Sequence, residues 1–169
     1  MLRPYHGQIK LLHPNDSENL LERNHFGHLG CAFGNDVYVI PISYLYEGGL
    51  IYFHTRPGKK VKSMNHDSHV CLQVEEIEDF YHWKSAAAFG KVERLNEPES
   101  TIAMRRIIEK MTLNETIPRI SELEVDFSAL IEKSIVYKMK PAKISGRFEA
   151  WPEERSSEPY TASPNLTDR

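Results

Sequence analysis

The sequence predicts a mainly β protein with flanking helices, in which roughly six antiparallel strands close into a small barrel. Three observations predict this fold. Short runs rich in β-branched and aromatic residues recur along the chain and are joined by short turns. The strand–helix–strand alternation typical of a parallel sheet is missing from the sequence pattern. The chain also contains no internal repeats that would indicate a solenoid or propeller.

The first half of the chain carries most of the strand signals. Asp16 or Ser17 is expected to cap a short helix ending at Arg23. Strands are then expected at residues 29–33, 37–46 and 50–54, with hairpin turns at residues 34–36 and 47–49. Pro41 lies inside the second of these strands, and proline cannot donate a ladder hydrogen bond. Its nitrogen is therefore expected at an edge, a bulge or an open ligand site.

The second half alternates strands with two or three helices. Residues 59–65 are expected to form a short helix, and residues 69–76 a strand that buries Val70, Leu72 and Val74 on one face. The remaining expected elements are a strand at 84–95 that contains small residues, a helix from Pro98 to about Met111, a stretch at 121–133 whose ambiguous pattern is interpreted as helical, and a last strand at 135–140. Residues 1–151 are expected to form one domain, and residues 152–169 a polar, mobile tail.

Composition excludes several classes of function. The chain has 169 residues, a mass of 19.6 kDa and a net charge of -3, which argues against a dedicated nucleic-acid-binding protein. The sequence lacks an apolar run long enough to cross a membrane and a signal peptide, so a cytoplasmic protein is expected. Cys31 and Cys71 are too few for a disulfide framework and are interpreted as small buried hydrophobes.

The most informative stretch for chemistry is residues 51–60. A strand ends at Thr55, a glycine-containing loop follows, and a helix begins with two lysines. A helix N-terminus offers free N–H groups and a partial positive charge, so Thr55, Arg56, Lys59 and Lys60 together suggest a phosphate site. The alternative is that these lysines form an ordinary solvated face. The spacing matches neither a Walker loop nor a dinucleotide fingerprint.

The histidines allow more than one interpretation. His25 and His28 are three residues apart, as are His66 and His69, but their positions in loops and at strand starts favour surface histidines over metal ligands. His54 ends a strand beside the phosphate candidate, where it could act on a ligand or simply pack.

The order of several motifs is similar to that of the flavin-binding split-barrel superfamily related to pyridoxamine 5'-phosphate oxidase, and most similar to its nitroimidazole-resistance branch. The resemblance covers roughly residues 14–147 and implies a six-stranded split β-barrel that binds FMN, ahead of FAD or a deazaflavin. The segments that carry it run, in order, Val39-Ile40-Pro41-Ile42-Ser43-Tyr44, Gly49-Leu50-Ile51-Tyr52-Phe53-His54-Thr55, Gly58-Lys59-Lys60, Trp83-Lys84-Ser85 and Phe89-Gly90-Lys91-Val92-Glu93.

The resemblance also implies a role for each segment. The backbone of Val39, Ile40, Pro41 and Ile42 would lie along the flavin ring, and Phe53, His54 and Thr55 beside the ring and the phosphate. Gly58, Lys59 and Lys60 would hold the phosphate. Trp83, Ser85 and Ala86 would come from the second subunit of a homodimer. A single barrel is expected to leave apolar strand residues such as Ala86 and Ala88 poorly covered, and the dimer would bury them. The vitamin oxidase has an arginine in the region of Val39 and a substrate-binding C-terminal end, so vitamin oxidase activity is not expected here.

The function that follows from the resemblance is a small oxidoreductase. NAD(P)H or a protein donor would reduce the flavin, a nitroimidazole-like molecule would accept the electrons, and His54 would be the candidate catalytic residue. The alternative is a protein that holds flavin or haem without turnover, with His54 or His82 as a haem ligand. Nucleic acid, membrane and metal sites are not expected.

Overall fold

The chain forms a closed antiparallel barrel with three packed helices. The computed structural model describes residues 8–113 and 131–150. Seven strands and three helices lie in these ranges; in chain order they are β1 (Gln8–Leu11), α1 (Pro14–Arg23), β2 (Phe26–Phe33), β3 (Asp36–Glu47), β4 (Leu50–Thr55), α2 (Lys59–His66), β5 (His69–Ile77), β6 (Trp83–Arg94), α3 (Glu99–Leu113) and β7 (Ile135–Ala150). In these ranges no helix is both long and apolar enough to span a membrane.

The barrel closes because β7 is long enough to pair with three strands. The sheet order is β1-β7-β4-β3-β2-β5-β6, and β6 pairs again with β7. The first part of β7 pairs with β4, its middle and end pair with β6, and its last residues pair with β1. Six strands therefore form the ring, and β1 extends it at one edge. The predicted mainly β fold with six antiparallel barrel strands is confirmed.

The barrel interior is filled by alternate residues of the strands. In β5, Val70, Leu72 and Val74 are buried as the alternation predicts. The largest fully buried side chains of this core include Tyr44, Leu29, Ile51, Phe53, Leu72 and Met139. A second, smaller cluster lies outside the barrel, where Ala103 and Met104 of α3 pack against Val136 and Leu95. Helix α3 thus covers the outer surface of β4 and β7.

Two local expectations were wrong, and one strand was not predicted. The N-cap of α1 is His13, whose ring accepts from the Asn15 N–H, with Pro14 in the first turn. Ser17 is instead buried inside the helix, and its hydroxyl donates to the His13 carbonyl. Strand β1 carries no clear sequence signal. Strand β7 continues well past residue 140. Phe89 pairs with Lys143 and Gly90 with Pro141, so β7 has one extra residue at this point and the pairing continues past the proline.

Some expectations fall outside the described residues. Most of the ambiguous stretch at 121–133 does, and so does the whole polar segment 152–169.

Candidate functional site

Strand β3 has a long open edge, which forms the split in the barrel. All residues of β3 from Asp36 to Ser43 pair with β2. On the other side only the segment from Tyr44 to Glu47 pairs with β4. In the pairings that the described strands make, residues 36–43 therefore have a neighbour on one side only. Their outward backbone N–H and C=O groups are available to a ligand.

Pro41 lies in this open stretch with its nitrogen on the open side. The N–H of Tyr44 donates to the His25 carbonyl, 2.9 Å away, so Tyr44 faces β2 with its hydrogen-bonding groups. Because these groups alternate along an antiparallel strand, Ile42 faces β2 and Pro41 faces away. Proline therefore sits where no ladder hydrogen bond is lost, as the sequence predicts. The side chains of Val39 and Pro41 are exposed, Ile40 is half-buried, and Ile42 is buried in the core.

The N-terminus of α2 lies beside the same edge. The ammonium of Lys59 lies over the ring of Tyr38, 4.9 Å from its centroid, and Tyr38 belongs to the open stretch of β3. Two further contacts fix the helix: Val61 and Met64 are buried, and the Ser63 hydroxyl donates to the Ala32 carbonyl of β2. The sequence places Gly58, Lys59 and Lys60 at this end of the helix, next to the open strand edge.

This helix end is electrostatically unusual. Its N-cap is Gly58, which offers no side-chain cap, and its first turn holds two lysines and no acidic residue. Cations at a helix N-terminus oppose the helix dipole by roughly 0.3–1 kcal/mol each. A Cβ added at Gly58 would meet open space. The end of α2 therefore combines free space, backbone donors and positive charge, which is the chemistry of an anion site.

His54 lies on the outer face of β4, next to this helix end. It is half-buried, and the hydroxyl of Ser134 lies 3.4 Å from its Nδ1 atom. Burial lowers the pKa of His54, and the cations of Lys60 and Arg56 lower it further. The imidazole is therefore neutral at neutral pH. It can accept or donate one hydrogen bond but does not carry a stored proton.

The two neighbours of His54 face the interior of the barrel. Phe53 is 1% exposed and stacks on Tyr137, with ring centroids 5.5 Å apart. Thr55 is also buried, and its hydroxyl donates to the Arg56 carbonyl at 3.2 Å. Any contact of Phe53 with a ligand in the split therefore involves its backbone. The Thr55 hydroxyl could donate to a phosphate only if it gave up its hydrogen bond to the Arg56 carbonyl.

The residues of β6 lie apart from the split within one chain. Between β3 and β6 lie β2 and β5, so Trp83 and Ser85 are two strands away from the open edge. Both are half-buried on the outer face of the barrel. Ser85 receives a hydrogen bond from the Gln73 amide at 3.3 Å, and the indole N–H of Trp83 donates to Glu149 at 2.8 Å.

The expectation that Ala86 and Ala88 form a poorly covered surface is wrong. Both are fully buried and face the barrel interior. The outer face is formed by their neighbours Ala87 and Phe89, because alternate residues of a strand point to opposite sides. Ala86 can therefore approach a ligand only through its backbone.

Sequence reasoning missed three contacts of these residues. Ser134 is 80 positions from His54, and Glu149 is 66 positions from Trp83. The sequence predicts Tyr38, which lies under Lys59, only as part of a strand. No local pattern pairs residues so far apart, so only the closed strand register could reveal the first two contacts.

The family of the chain follows from its sequence and this geometry together. Residues 14–148 match the pyridoxamine 5'-phosphate oxidase family, a segment that runs from the start of α1 almost to the end of β7. The chain belongs to that family. The match contains the open edge of β3, the end of β4 and the N-terminus of α2, so the whole candidate site falls within it.

Several solved structures have a fold similar to that of this chain. A FAD-binding protein from Mesorhizobium loti is 26% identical, with a TM-score of 0.66 over 85% of this chain and 99% of that one. A 5-nitroimidazole antibiotic resistance protein from Bacteroides thetaiotaomicron is 17% identical, with a TM-score of 0.68 over 86% and 90% of the two chains. A FAD- and haem-binding protein from Mycobacterium smegmatis is 13% identical, with a TM-score of 0.67 over 94% and 91%.

These likenesses confirm the resemblance to the flavin-binding split-barrel superfamily. A curated relative, the uncharacterized protein RA0666 of Rhizobium meliloti, is 24% identical over 87 residues, or 52% of this chain. The match spans 58% of that relative's length.

Proposed function

We propose that this protein binds FMN in the split of the barrel and uses it to reduce a small, flat acceptor such as a nitroimidazole. The observation that carries the proposal is the meeting of an unpaired strand edge with a basic helix N-terminus. The edge is residues 36–43 of β3, and the cation–π contact between Lys59 and Tyr38 joins the two features. A flat ring with a phosphate tail requires both features in one place.

The phosphate end of the cofactor is assigned to the start of α2. Gly58 leaves space for it, and the backbone N–H groups of the first turn point out of the helix toward it. Lys59 and Lys60 would supply the positive charge, with Arg56 in the preceding loop. An anion here would also offset the unfavourable effect of two lysines on the helix dipole. The present residues therefore fit a phosphate group.

The ring of the cofactor is assigned to the open edge of β3. Val39 has its backbone N–H and C=O on the open side of the strand, and Pro41 has its C=O there. These groups would position the ring and tune it through hydrogen bonds. When bound, the flavin supplies electron transfer from a reductant such as NAD(P)H or a protein donor to the acceptor.

His54 is assigned a hydrogen bond to the bound acceptor. Its lowered pKa keeps the imidazole neutral, and Ser134 at 3.4 Å from Nδ1 constrains its orientation. A neutral imidazole can donate one hydrogen bond to a nitro or carbonyl oxygen without adding a full charge. The charge of Lys60 contributes to the lowered pKa of His54, which supports a position for His54 near the proposed phosphate end.

The functional unit is proposed to be a homodimer. The outer face of β2, β3, β5 and β6 exposes several apolar side chains on neighbouring strands. Val37, Val39 and Phe89 are 78%, 57% and 41% exposed. The shallow depression on this face is lined by Gly30, Cys31, Ala32, Val37, His69, Val70, Cys71, Phe89 and Gly90. A second copy related by two-fold symmetry would cover this face and bring its Trp83 and Ser85 toward the split.

The alternative is a protein that holds flavin or haem without turnover. A neutral, half-buried imidazole such as His54 is the form that ligates haem iron, and the fold matches a FAD- and haem-binding protein. His82, whose Nδ1 lies 2.8 Å from Asp79, is a second candidate ligand. The spectrum separates these outcomes, since flavin gives two broad bands and haem one intense Soret band.

The proposal is tested on protein purified from cells. Its visible spectrum is recorded, the cofactor is released by denaturation, and its mass is measured. FMN at one molecule per chain is expected, and FAD would correct the cofactor but retain the flavin site. The protein is then mixed with NADH or NADPH and a nitroimidazole without oxygen. Loss of the nitroimidazole absorbance supports the oxidoreductase, whereas bound flavin that passes no electrons supports storage.

A further inference from the structure

Glu149 is a buried carboxylate on the outer side of the barrel that the proposed site does not use. It is 7% exposed, and only three other polar residues of the described ranges are as buried. It lies at the end of β7, one residue beyond the segment that matches the family. A buried carboxylate is costly unless it is hydrogen-bonded, so its contacts indicate what it does.

The contact that matters is with Trp83. The two residues are direct cross-strand partners of β6 and β7, and the indole Nε1–H donates to a carboxylate oxygen of Glu149 at 2.8 Å. A donor–acceptor distance of 2.8 Å is that of a well-formed hydrogen bond. The bond therefore fixes the rotation of the Trp83 ring, which is half-buried and has one part facing outward.

The backbone around Glu149 is held on both sides. On one side β7 pairs with β6 through Trp83, and on the other with β1 through Ile9. A residue in the centre of three paired strands is a more rigid anchor than one at a sheet edge. Glu149 can therefore hold the indole in one orientation even though Trp83 is the first residue of its strand.

We propose that Glu149 is a positioning residue for flavin binding, which acts by holding the indole ring of Trp83 against the cofactor bound by the partner subunit. The inference rests on the proposed function, because it needs a flavin and a dimer. It adds a residue that the resemblance does not supply and that lies outside the residues assigned to the site above. Glu149 itself touches neither flavin nor acceptor and acts only through Trp83.

The test is a double-mutant cycle read by flavin titration of the cofactor-free protein. Glu149→Leu removes the acceptor and is expected to weaken FMN binding about tenfold. Glu149→Gln keeps an acceptor oxygen and is expected to stay within threefold of the unaltered protein. In a Trp83→Phe background, Glu149→Leu is expected to cause no further loss, because the indole through which it acts is gone. The matched control is Glu93→Leu, on the same two strands, where an exposed carboxylate pairs with Lys138 at 3.4 Å.

A spectroscopic readout separates positioning from general stability. In a Trp151→Phe background Trp83 is the one remaining tryptophan of the chain. Its fluorescence should shift in Glu149→Leu but not in Glu149→Gln or Glu93→Leu. Thermal melts check that each variant folds. If Glu149→Leu does not fold, Trp83→Phe still decides, since it keeps an aromatic ring but removes the N–H and must lose FMN affinity.

The inference is overturned if Trp83→Phe binds FMN like the unaltered protein, or if Glu149→Leu loses the same affinity with and without Trp83. Equal losses in Glu149→Leu and Glu149→Gln also overturn it. An unaltered protein that binds no flavin refutes the proposed function itself. Flavin binding that is indifferent to Trp83 and Glu149 refutes only this inference.

Discussion

The charge of Lys60 provides the sharpest test of the proposed phosphate site. Lys60 lies in the first turn of α2, is half-buried, and is close enough to His54 to lower the pKa of that histidine. Lys60→Glu places a negative charge where the phosphate is proposed to bind. Because the side chain begins a helix and faces partly outward, the substitution need not disturb the barrel core.

The expected loss of affinity can be worked from this position. A partly exposed lysine in contact with a phosphate contributes about 1 to 1.5 kcal/mol, since solvent screens the pair. Charge reversal removes this attraction and adds a repulsion of similar size. FMN affinity should therefore fall by about 2 to 3 kcal/mol, or roughly 30- to 150-fold.

The stability of the cofactor-free protein should change in the opposite direction. A glutamate in the first turn interacts favourably with the helix dipole, by about 0.3 to 1 kcal/mol. The Tm without cofactor should then stay level or rise by roughly 1 to 4 °C. The pKa of His54 should rise toward its ordinary value, because one of the cations that lowers it is gone. A loss of affinity with no loss of stability cannot be ascribed to unfolding.

Isothermal titration of FMN, thermal melts and an NMR titration of His54 measure these three quantities. Lys62→Glu is the matched control, since it makes the same charge change on an exposed residue of the same helix. Its FMN affinity should change by less than about threefold, as expected for a screened surface charge. Unchanged affinity in Lys60→Glu, or an equal loss in both variants, would refute the phosphate assignment.

Four further predictions follow from other parts of the molecule. Phe89→Asp places a charge on the apolar outer face, so light scattering should find monomers; a variant that remains dimeric places the interface elsewhere. Gly90→Ala sets a Cβ 2.8 Å from a backbone oxygen of β7, so denaturant melts should show a loss of about 1–3 kcal/mol, and an unchanged midpoint contradicts the packing. Arg56→Gln removes a cation near His54, so NMR titration should show a higher pKa for His54, extending its protonated form to higher pH; an unmoved pKa means that Arg56 points elsewhere. A chain ending at Trp151 should fold, dimerise and bind FMN as the full chain does, whereas a tenfold weaker titration, about 1.4 kcal/mol, would make the tail part of the site.

The sequence predicted well the elements that carry their own period. In β5 large apolar residues alternate with smaller or polar ones, and the large residues Val70, Leu72 and Val74 are buried on one face. Period-two patterning works here because one face of the strand lines the core and the other does not. The same reasoning placed Pro41 correctly, since a missing N–H is tolerated only where the ladder is open.

Elements whose stability comes from distant partners were not predictable. Strand β1 has four exposed residues and exists because β7, more than 130 positions later, pairs with it. The expected end of β7 at residue 140 falls just before Pro141, a residue type that interrupts strand pairing. The bulge opposite Gly90 absorbs the proline and lets the strand run to Ala150. Local propensity contains no information about such a bulge.

Part of the candidate site could likewise be predicted from the sequence, and part could not. Residues that neighbour each other in sequence, such as Gly58 and Lys60, could be grouped from the pattern alone. The side chains that face the split could not be predicted in this way. The resemblance assigns Phe53 and Ala86 to the site, but both side chains point into the barrel. Strand alternation predicts opposite faces for neighbours but does not say which face is inside.

The open stretch of β3 would connect the proposed cofactor site with the proposed dimer contact. An unpaired strand edge attracts other strands, and proteins usually shorten, charge or cover it. Here Pro41 removes one donor from the edge, while Val37 and Val39 leave the adjoining face apolar and exposed. Neither feature alone protects eight consecutive residues of β3. A cofactor along the edge and a second subunit over the face would cover both, which explains why one short segment would be shared by two kinds of contact.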